Sequence, residues 1–183
     1  MNLLNSILII LASLIGVYME CTFNGFRHLF GAQLDVLPPL MVYAALRTNP
    51  AIMAILAVTG GLCFDSLSAN LLGVSTLPLY LVSLAVYSRR GLILQEQFYA
   101  RFVLGAAASA IVPVLSLLLL LSTRQSPIIG WGSLWQWVVM GVGGGLMTVA
   151  CFWIFDWLNG ALNYHPVAQS SFRQDREIAR GRN

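Results

Sequence analysis

The side chains of this sequence that could do chemistry are few and widely spaced. Its two histidines, His28 and His165, and its three cysteines, Cys21, Cys63 and Cys151, show none of the short spacings that metal sites and redox motifs use. Serines are plentiful, but none lies in a nucleophile motif. We therefore expect no catalytic residue, no metal ligand, no bound cofactor and no enzymatic activity.

Asp65 is the acidic residue whose neighbours are most informative. It follows the glycine pair Gly60-Gly61 and an apolar run, and Ser66 and Ser68 come directly after it. Short side chains that carry oxygen accept hydrogen bonds from the free N–H groups at helix starts. We expect Asp65 and Ser68 to organise the loop before the next helix, and contact with a ligand or partner is the second interpretation.

The composition places these residues in a membrane protein. Hydrophobic residues make up 58% of the 183 positions and charged residues 9%, whereas about a quarter of the residues in soluble domains are charged. This balance cannot cover a surface that faces water. All ten basic residues are arginines, and they lie in loops and in the tail instead of forming a basic groove. Nucleic acid is therefore not an expected partner.

Six apolar segments separated by polar turns predict an all-α integral membrane protein with six transmembrane helices in a compact bundle. One polytopic domain covers residues 1–160, and a cytoplasmic, arginine-rich tail of flexible chain covers residues 161–183. Segments 34–46 and 51–64 are short and could instead form a re-entrant hairpin that does not cross. The six segments span residues 3–19, 34–47, 51–64, 71–87, 102–121 and 134–158.

The arginines predict the orientation. With both termini in the cytoplasm, eight of the ten arginines lie inside and only Arg27 and Arg124 lie outside, as the positive-inside rule requires. Glu20 is then expected at the outer membrane surface and Asp156 at the inner one. No segment has an ionisable group in its interior, which argues against proton-driven transport. The predicted location is the bacterial inner membrane.

Two runs of small residues could form helix-packing faces, because helices in lipid associate where glycine and alanine allow close backbone approach. One contains Gly141, Gly144 and Gly145, and the other contains Ala106 and Ala110. Packing inside the bundle is the first interpretation, and docking of a partner's transmembrane helix is the second.

The tail carries Arg173, Arg176 and Arg180, which we expect to contact anionic membrane lipids. A basic segment next to a membrane gains favourable electrostatic energy near anionic headgroups. The alternative is a solvated, disordered tail.

Residues 34–91 resemble the rod shape-determining protein MreD family. The similar features are Leu34-Asp35 before Pro38-Pro39, the segment end at Arg47, the pattern Gly60-Gly61-x-x-x-Asp65-x-x-Ser68, and Gly73-Val74. The resemblance implies a fold like the six-helix substrate-binding S-component of energy-coupling-factor transporters. It also marks five residues as candidate contacts with a partner or pocket: Asp35, Arg47, Asp65, Ser68 and Gly73.

Membership of this family implies a non-enzymatic scaffold of the bacterial cell-elongation machinery. Direct binding to the bitopic protein MreC is expected, and MreB, RodA and a class B penicillin-binding protein are expected within the same complex. The competing interpretation is a vitamin-transporter S-component. In that case residues 20–36 would cover an outward pocket lined by Asp65, Trp131 and Trp135.

Overall fold

A computed structural model describes residues 3–22, 31, 33–68, 72–91, 97–122 and 131–162, and it places six helices and no strand in this part of the chain. The predicted all-helical class is confirmed. The helices are α1 (Leu3–Thr22), α2 (Leu37–Arg47), α3 (Pro50–Leu67), α4 (Thr76–Arg89), α5 (Phe98–Ser122) and α6 (Trp131–Leu162).

Proline lies at two of the helix starts. Pro38 and Pro39 lie in the first turn of α2, and Pro50 is the first residue of α3, where a missing N–H leaves no hydrogen bond unmade. The preceding Asn49 is extended, with φ −92° and ψ 155°. The turn between α2 and α3 is therefore only two residues long.

The predicted start of the fourth segment at residue 71 is wrong, because α4 begins at Thr76. Residues 72–75 form turns, and Gly73 has a φ of 93°, in the left-handed region that glycine tolerates and other residues rarely adopt. Pro78 consequently lies in the first turn of α4, where it costs no hydrogen bond.

The short helix α2 forms the centre of the bundle. Its residues from Leu37 to Leu46 are all buried, and it contacts each of the other five helices. Its 11 residues extend over about 16 Å, roughly half the hydrocarbon thickness of a bilayer. The central helix is thus enclosed by protein and is too short to cross a bilayer along its normal without the flanking residues.

The surrounding helices turn apolar side chains outwards. Helix α1 buries Ile9, Ser13 and Val17, which are spaced by four residues, whereas Leu11 and Ile15 are half exposed. Exposed apolar side chains of this kind face lipid in a membrane protein. Three helices are long and apolar enough to cross a membrane, within Pro50–Leu67, Phe98–Ser122 and Ser133–Ala161.

Helices α5 and α6 form a closely packed pair through small residues. A Cβ added at Gly144 would overlap the hydroxyl of Ser109, and one at Gly105 would overlap Thr148. At Gly145 it would lie 2.8 Å from a ring carbon of Phe102. Gly105, Gly144 and Gly145 therefore bring the two helices into close contact inside the bundle.

Contacts between distant residues define two ends of the bundle. At one end, Glu20 in the last turn of α1 meets the start of α2, and we call this the acidic end. At the other, Asp156 of α6 meets Arg47 and Arg101, and we call this the arginine end. Asp35 precedes α2 and Arg47 is its last residue, so the central helix runs from the acidic end to the arginine end.

Candidate functional site

Asp65 closes the turn between α3 and α4. Its Oδ2 atom accepts hydrogen bonds from the backbone N–H groups of Gly73, at 2.8 Å, and Ser75, at 3.2 Å. The side chain is fully buried and lies in the last turn of α3. Two charge-assisted hydrogen bonds to backbone thus fix the start of α4 on the end of α3.

The glycine pair before Asp65 makes this arrangement possible. A Cβ at Gly61 would lie 2.6 Å from the hydroxyl and 2.8 Å from the Cα of Thr76, so the two helices touch through backbone. A Cβ at Gly60 would lie 2.8 Å from the side chain of Leu37. Gly61 and Asp65 are four residues apart and face the same helix start. We call Gly61, Asp65, Gly73, Ser75 and Thr76 the α3–α4 clamp.

Two buried polar atoms of the α3–α4 clamp have no hydrogen-bond partner among the described residues. They are Asp65 Oδ1 and Thr76 Oγ1. The neighbouring Ser66 does not cap α4, because its hydroxyl donates to Cys63 of its own helix at 2.9 Å. Ser68 ends α3, and its backbone N–H donates to Phe64 at 2.9 Å. Among these three residues, Asp65 is therefore the one whose side chain contacts the start of α4.

A second carboxylate, Asp35, stands at the start of α2. Its Oδ1 accepts from the N–H of Leu37 at 3.0 Å. Beside it, Glu20 accepts from the N–H of Val36 at 3.2 Å and from the amide of Gln33 at 3.1 Å. Two acidic side chains thus meet the positive end of the α2 dipole, where negative charge is stabilised.

Burial raises the pKa of Asp35 to about 6, and the hydrogen bond from Leu37 opposes the rise. An ordinary aspartate has a pKa near 3.8. The desolvation of the carboxylate by the surrounding protein disfavours its charged form. Asp35 is therefore a carboxyl group that can bind a proton under mildly acidic conditions.

Asp35 also lines a cavity of about 340 Å³ at the acidic end, between α2 and the later helices. The cavity is mostly apolar, and its polar groups come from four elements of the chain. They are Asp35, Ser75, Ser116, Ser133 and Gln136. A mostly apolar cavity with a few polar groups is the form that small-molecule sites take.

The pocket expected from Asp65, Trp131 and Trp135 is not the one that the structure shows. Trp135 lines a separate groove on the outward side of α6 together with Leu34 and Val142, whereas Trp137 lines the cavity of Asp35. Asp65 lines neither of these two spaces, because the α3–α4 clamp encloses its side chain. The side chain of Trp131 lies outside the described residues.

The arginine end is held by a pair of ion contacts that sequence analysis missed. Asp156 lies 3.6 Å from Arg47 and 3.5 Å from Arg101. Arg101 also lies over the ring of Phe152, with its guanidinium carbon 4.5 Å from the ring centre. The side chain of Asp156 is 40% exposed, so each pair contributes modestly to stability. Their effect is to join α2, α5 and α6.

Aromatic packing on α2 reinforces the same junction. Tyr43 is buried, its ring stacks on Phe155 at 4.7 Å, and it meets Phe152 edge-on at 4.9 Å. The amide of Asn159 donates to the Tyr43 hydroxyl at 3.4 Å. Asp156 and Asn159 are three residues apart and so lie on the same side of α6, and this polar pair in an apolar stretch was an indication in the sequence that α6 meets another helix here.

The predicted packing residues separate into two groups. Gly144 and Gly145 lie in the α5–α6 contact, whereas Gly141 is looser, since a Cβ there would meet only the carbonyl of Ala106, at 3.8 Å. Ala106 and Ala110 are half buried on α5.

Several predicted features lie outside the described residues. These are the tail arginines Arg173, Arg176 and Arg180 and both histidines. Among the residues that the structure describes, no three His, Cys, Asp or Glu side chains lie close enough together to hold a metal ion.

No protein-family model, curated protein or solved structure matches this chain.

Proposed function

We propose that the protein is a non-enzymatic scaffold of the bacterial cell-elongation machinery, which binds MreC directly and works beside MreB, RodA and a class B penicillin-binding protein. The proposal starts from the resemblance of residues 34–91 to the MreD family. The observation that supports it most is that several residues on which the resemblance rests hold the backbone in a fixed conformation.

The α3–α4 clamp is that observation. Gly61 admits Thr76, Asp65 binds the N–H groups of Gly73 and Ser75, and Gly73 takes a left-handed conformation. Each of these contacts fixes the geometry of the junction between α3 and α4. A protein that acts by presenting a rigid surface to partners needs such residues, whereas an enzyme needs reactive side chains that converge on substrate.

The membrane arrangement that goes with this proposal has six crossings in the inner membrane, with both termini in the cytoplasm. The charges of the described chain support it, because Arg47 and Arg101 meet at one end of the bundle, and Arg90 lies there too, 3.5 Å from the carbonyl of Thr48. Cytoplasmic surfaces of membrane proteins are rich in arginine.

A second candidate function, the S-component of a vitamin transporter, is favoured by the cavity of Asp35. Its volume of about 340 Å³ and its polar groups suit a small ligand. In this alternative, Asp35 and Gln136 would contact the ligand, and the outer helix faces would contact a transmembrane coupling subunit.

One purification tests both candidates. The tagged protein is isolated from its native host in mild detergent, and the proteins and small molecules that accompany it are identified by mass spectrometry. Near-stoichiometric MreC supports the scaffold. Recovery of a transmembrane coupling subunit with its ATPases contradicts it.

Repeating the purification with the variant Asp35→Asn distinguishes the two candidate functions further. A scaffold recovers MreC equally with Asp35→Asn and with the unchanged protein, because the cavity is not its working surface. A transporter component loses its small molecule in this variant while it keeps its protein subunits.

A further inference from the structure

A narrow groove runs along the outer surface between α4 and α5. Its volume is about 360 Å³, and its walls are apolar for nearly their whole length. Ala85 of α4 and Ala107 of α5, both exposed, make the groove by leaving room that larger side chains would fill. From Leu81 to Arg89 the α4 wall extends over about 12 Å.

One charged residue, Arg89, lies at the end of this apolar groove. It is the last residue of α4, is exposed, and makes no ion pair with any residue that the structure describes. It lies at the arginine end of the bundle, since the next residue, Arg90, contacts Thr48 there. An arginine at a membrane surface keeps its guanidinium in the headgroup layer while its stem lies along apolar surface.

The groove and the arginine together match one kind of molecule. A phospholipid has acyl chains that are apolar along their length and are joined through glycerol to a phosphate, and guanidinium groups bind phosphate through paired hydrogen bonds. The groove beside Trp135 on α6 is larger, about 550 Å³, but no charged residue lines it. Charge at one end therefore distinguishes the α4–α5 groove.

We infer that the α4–α5 groove binds an anionic phospholipid, with an acyl chain along Ala85 and Ala107 and the phosphate on Arg89. A zwitterionic lipid binds less well, because its own cation offsets the attraction between its phosphate and the arginine. This site is independent of the scaffold function and of the tail arginines.

The test is native mass spectrometry of the full-length protein in detergent, titrated with phosphatidylglycerol or with phosphatidylcholine of the same acyl chains. We expect the unchanged protein to bind phosphatidylglycerol more tightly. Arg89→Gln should weaken that binding about five-fold, as the loss of one basic residue near the surface predicts, and should abolish the preference. Ala107→Phe fills the groove and should weaken the binding of both lipids.

Two matched variants serve as controls. Arg124→Gln removes the same charge from the opposite predicted side, and Ala150→Phe places the same ring in the groove on α6. Both should bind like the unchanged protein. The site is refuted if Arg89→Gln equals Arg124→Gln, if Ala107→Phe equals Ala150→Phe, or if the two lipids bind equally. Since Arg89 and Ala107 are both exposed, melting temperatures near that of the unchanged protein should accompany each result.

Discussion

Asp65 is the side chain that joins the end of α3 to the start of α4. It is fully buried, and one of its oxygens holds two backbone N–H groups across eight and ten positions of sequence. Its second oxygen has no partner within the described part of the chain. A buried carboxylate is costly unless it is hydrogen-bonded, so the two contacts must offset its desolvation.

We predict that Asp65→Ala destabilises the protein by about 2 kcal/mol or more, because it leaves the N–H groups of Gly73 and Ser75 buried without an acceptor. Asp65→Asn should cost less, since it keeps one acceptor oxygen. Thermal melting in detergent measures both. The control is Ser66→Ala, which removes an exposed hydroxyl bonded only to its own helix. Equal melting of Asp65→Ala and Ser66→Ala would show that the clamp is unimportant.

Asp35 should make stability depend on pH. Its pKa is about 6 in the folded protein and near 3.8 without burial, so the folded state binds the proton more tightly. Stability is then highest below about pH 4 and falls as the pH rises towards 6. The shift corresponds to at most about 3 kcal/mol.

Replacing Asp35 by Asn should remove this dependence. The amide oxygen can still accept from Leu37, but the side chain no longer titrates. We expect Asp35→Asn to melt above the unchanged protein at pH 7.5, with a difference that is about three-fold smaller at pH 4.5. The same comparison with Glu20→Gln measures how much the neighbouring carboxylate contributes to the pH dependence. If Asp35→Asn is less stable than the unchanged protein at pH 7.5, the Asp35 carboxylate stabilises the fold and the prediction is wrong.

The apolar segments of the sequence predicted the presence of the helices but not the position of each helix in the bundle. The starts at Pro38 and Pro50 follow from chain geometry that is local, so they could be read directly. The central position of α2 could not, because burial on all sides depends on five other helices. An apolar residue that faces lipid and one that faces protein look alike in sequence.

The candidate site shows the same division. Asp65 was identifiable because a carboxylate after a glycine pair is unusual in an apolar chain. Its hydrogen bonds to Gly73 and Ser75 were not identifiable, although Gly73 was itself a candidate residue. The joining of Arg47 and Arg101 by Asp156 was not identifiable either, since all these contacts connect residues far apart in sequence. The cavity of Asp35 arises only when four elements assemble, so no short pattern could predict it.

The packing of α5 on α6 gives a prediction with a closely matched control. Gly144→Ala should destabilise the protein by about 1–3 kcal/mol, because the new methyl group overlaps Ser109. Gly141→Ala makes the same change three residues earlier, where a Cβ finds only a carbonyl at 3.8 Å. It should be neutral or stabilise by up to about 1 kcal/mol through helix propensity. Melting temperatures in detergent compare the two, and equal values would refute the close contact.

For the molecule as a whole, the two polar ends and the apolar surface between them decide how it lies in a bilayer. Arg47, Arg90 and Arg101 are at one end, and Glu20 and Asp35 are at the other. A central helix of 11 residues joins these ends where a full crossing takes about 20. The polar surfaces must therefore come closer together at the centre of the bundle than at its outer helices.

The orientation can be tested with cysteines placed at exposed positions of the two ends. Cys21, Cys63 and Cys151 are first replaced by alanine, and then Asn49→Cys marks the turn between α2 and α3 while Leu72→Cys marks the turn before α4. In spheroplasts, a membrane-impermeant maleimide should label Leu72→Cys and spare Asn49→Cys. In inverted inner-membrane vesicles the pattern should reverse. Labelling of Asn49→Cys from neither side would support a re-entrant hairpin, and labelling of it in spheroplasts would show that the arginine end faces outwards, against the positive-inside rule.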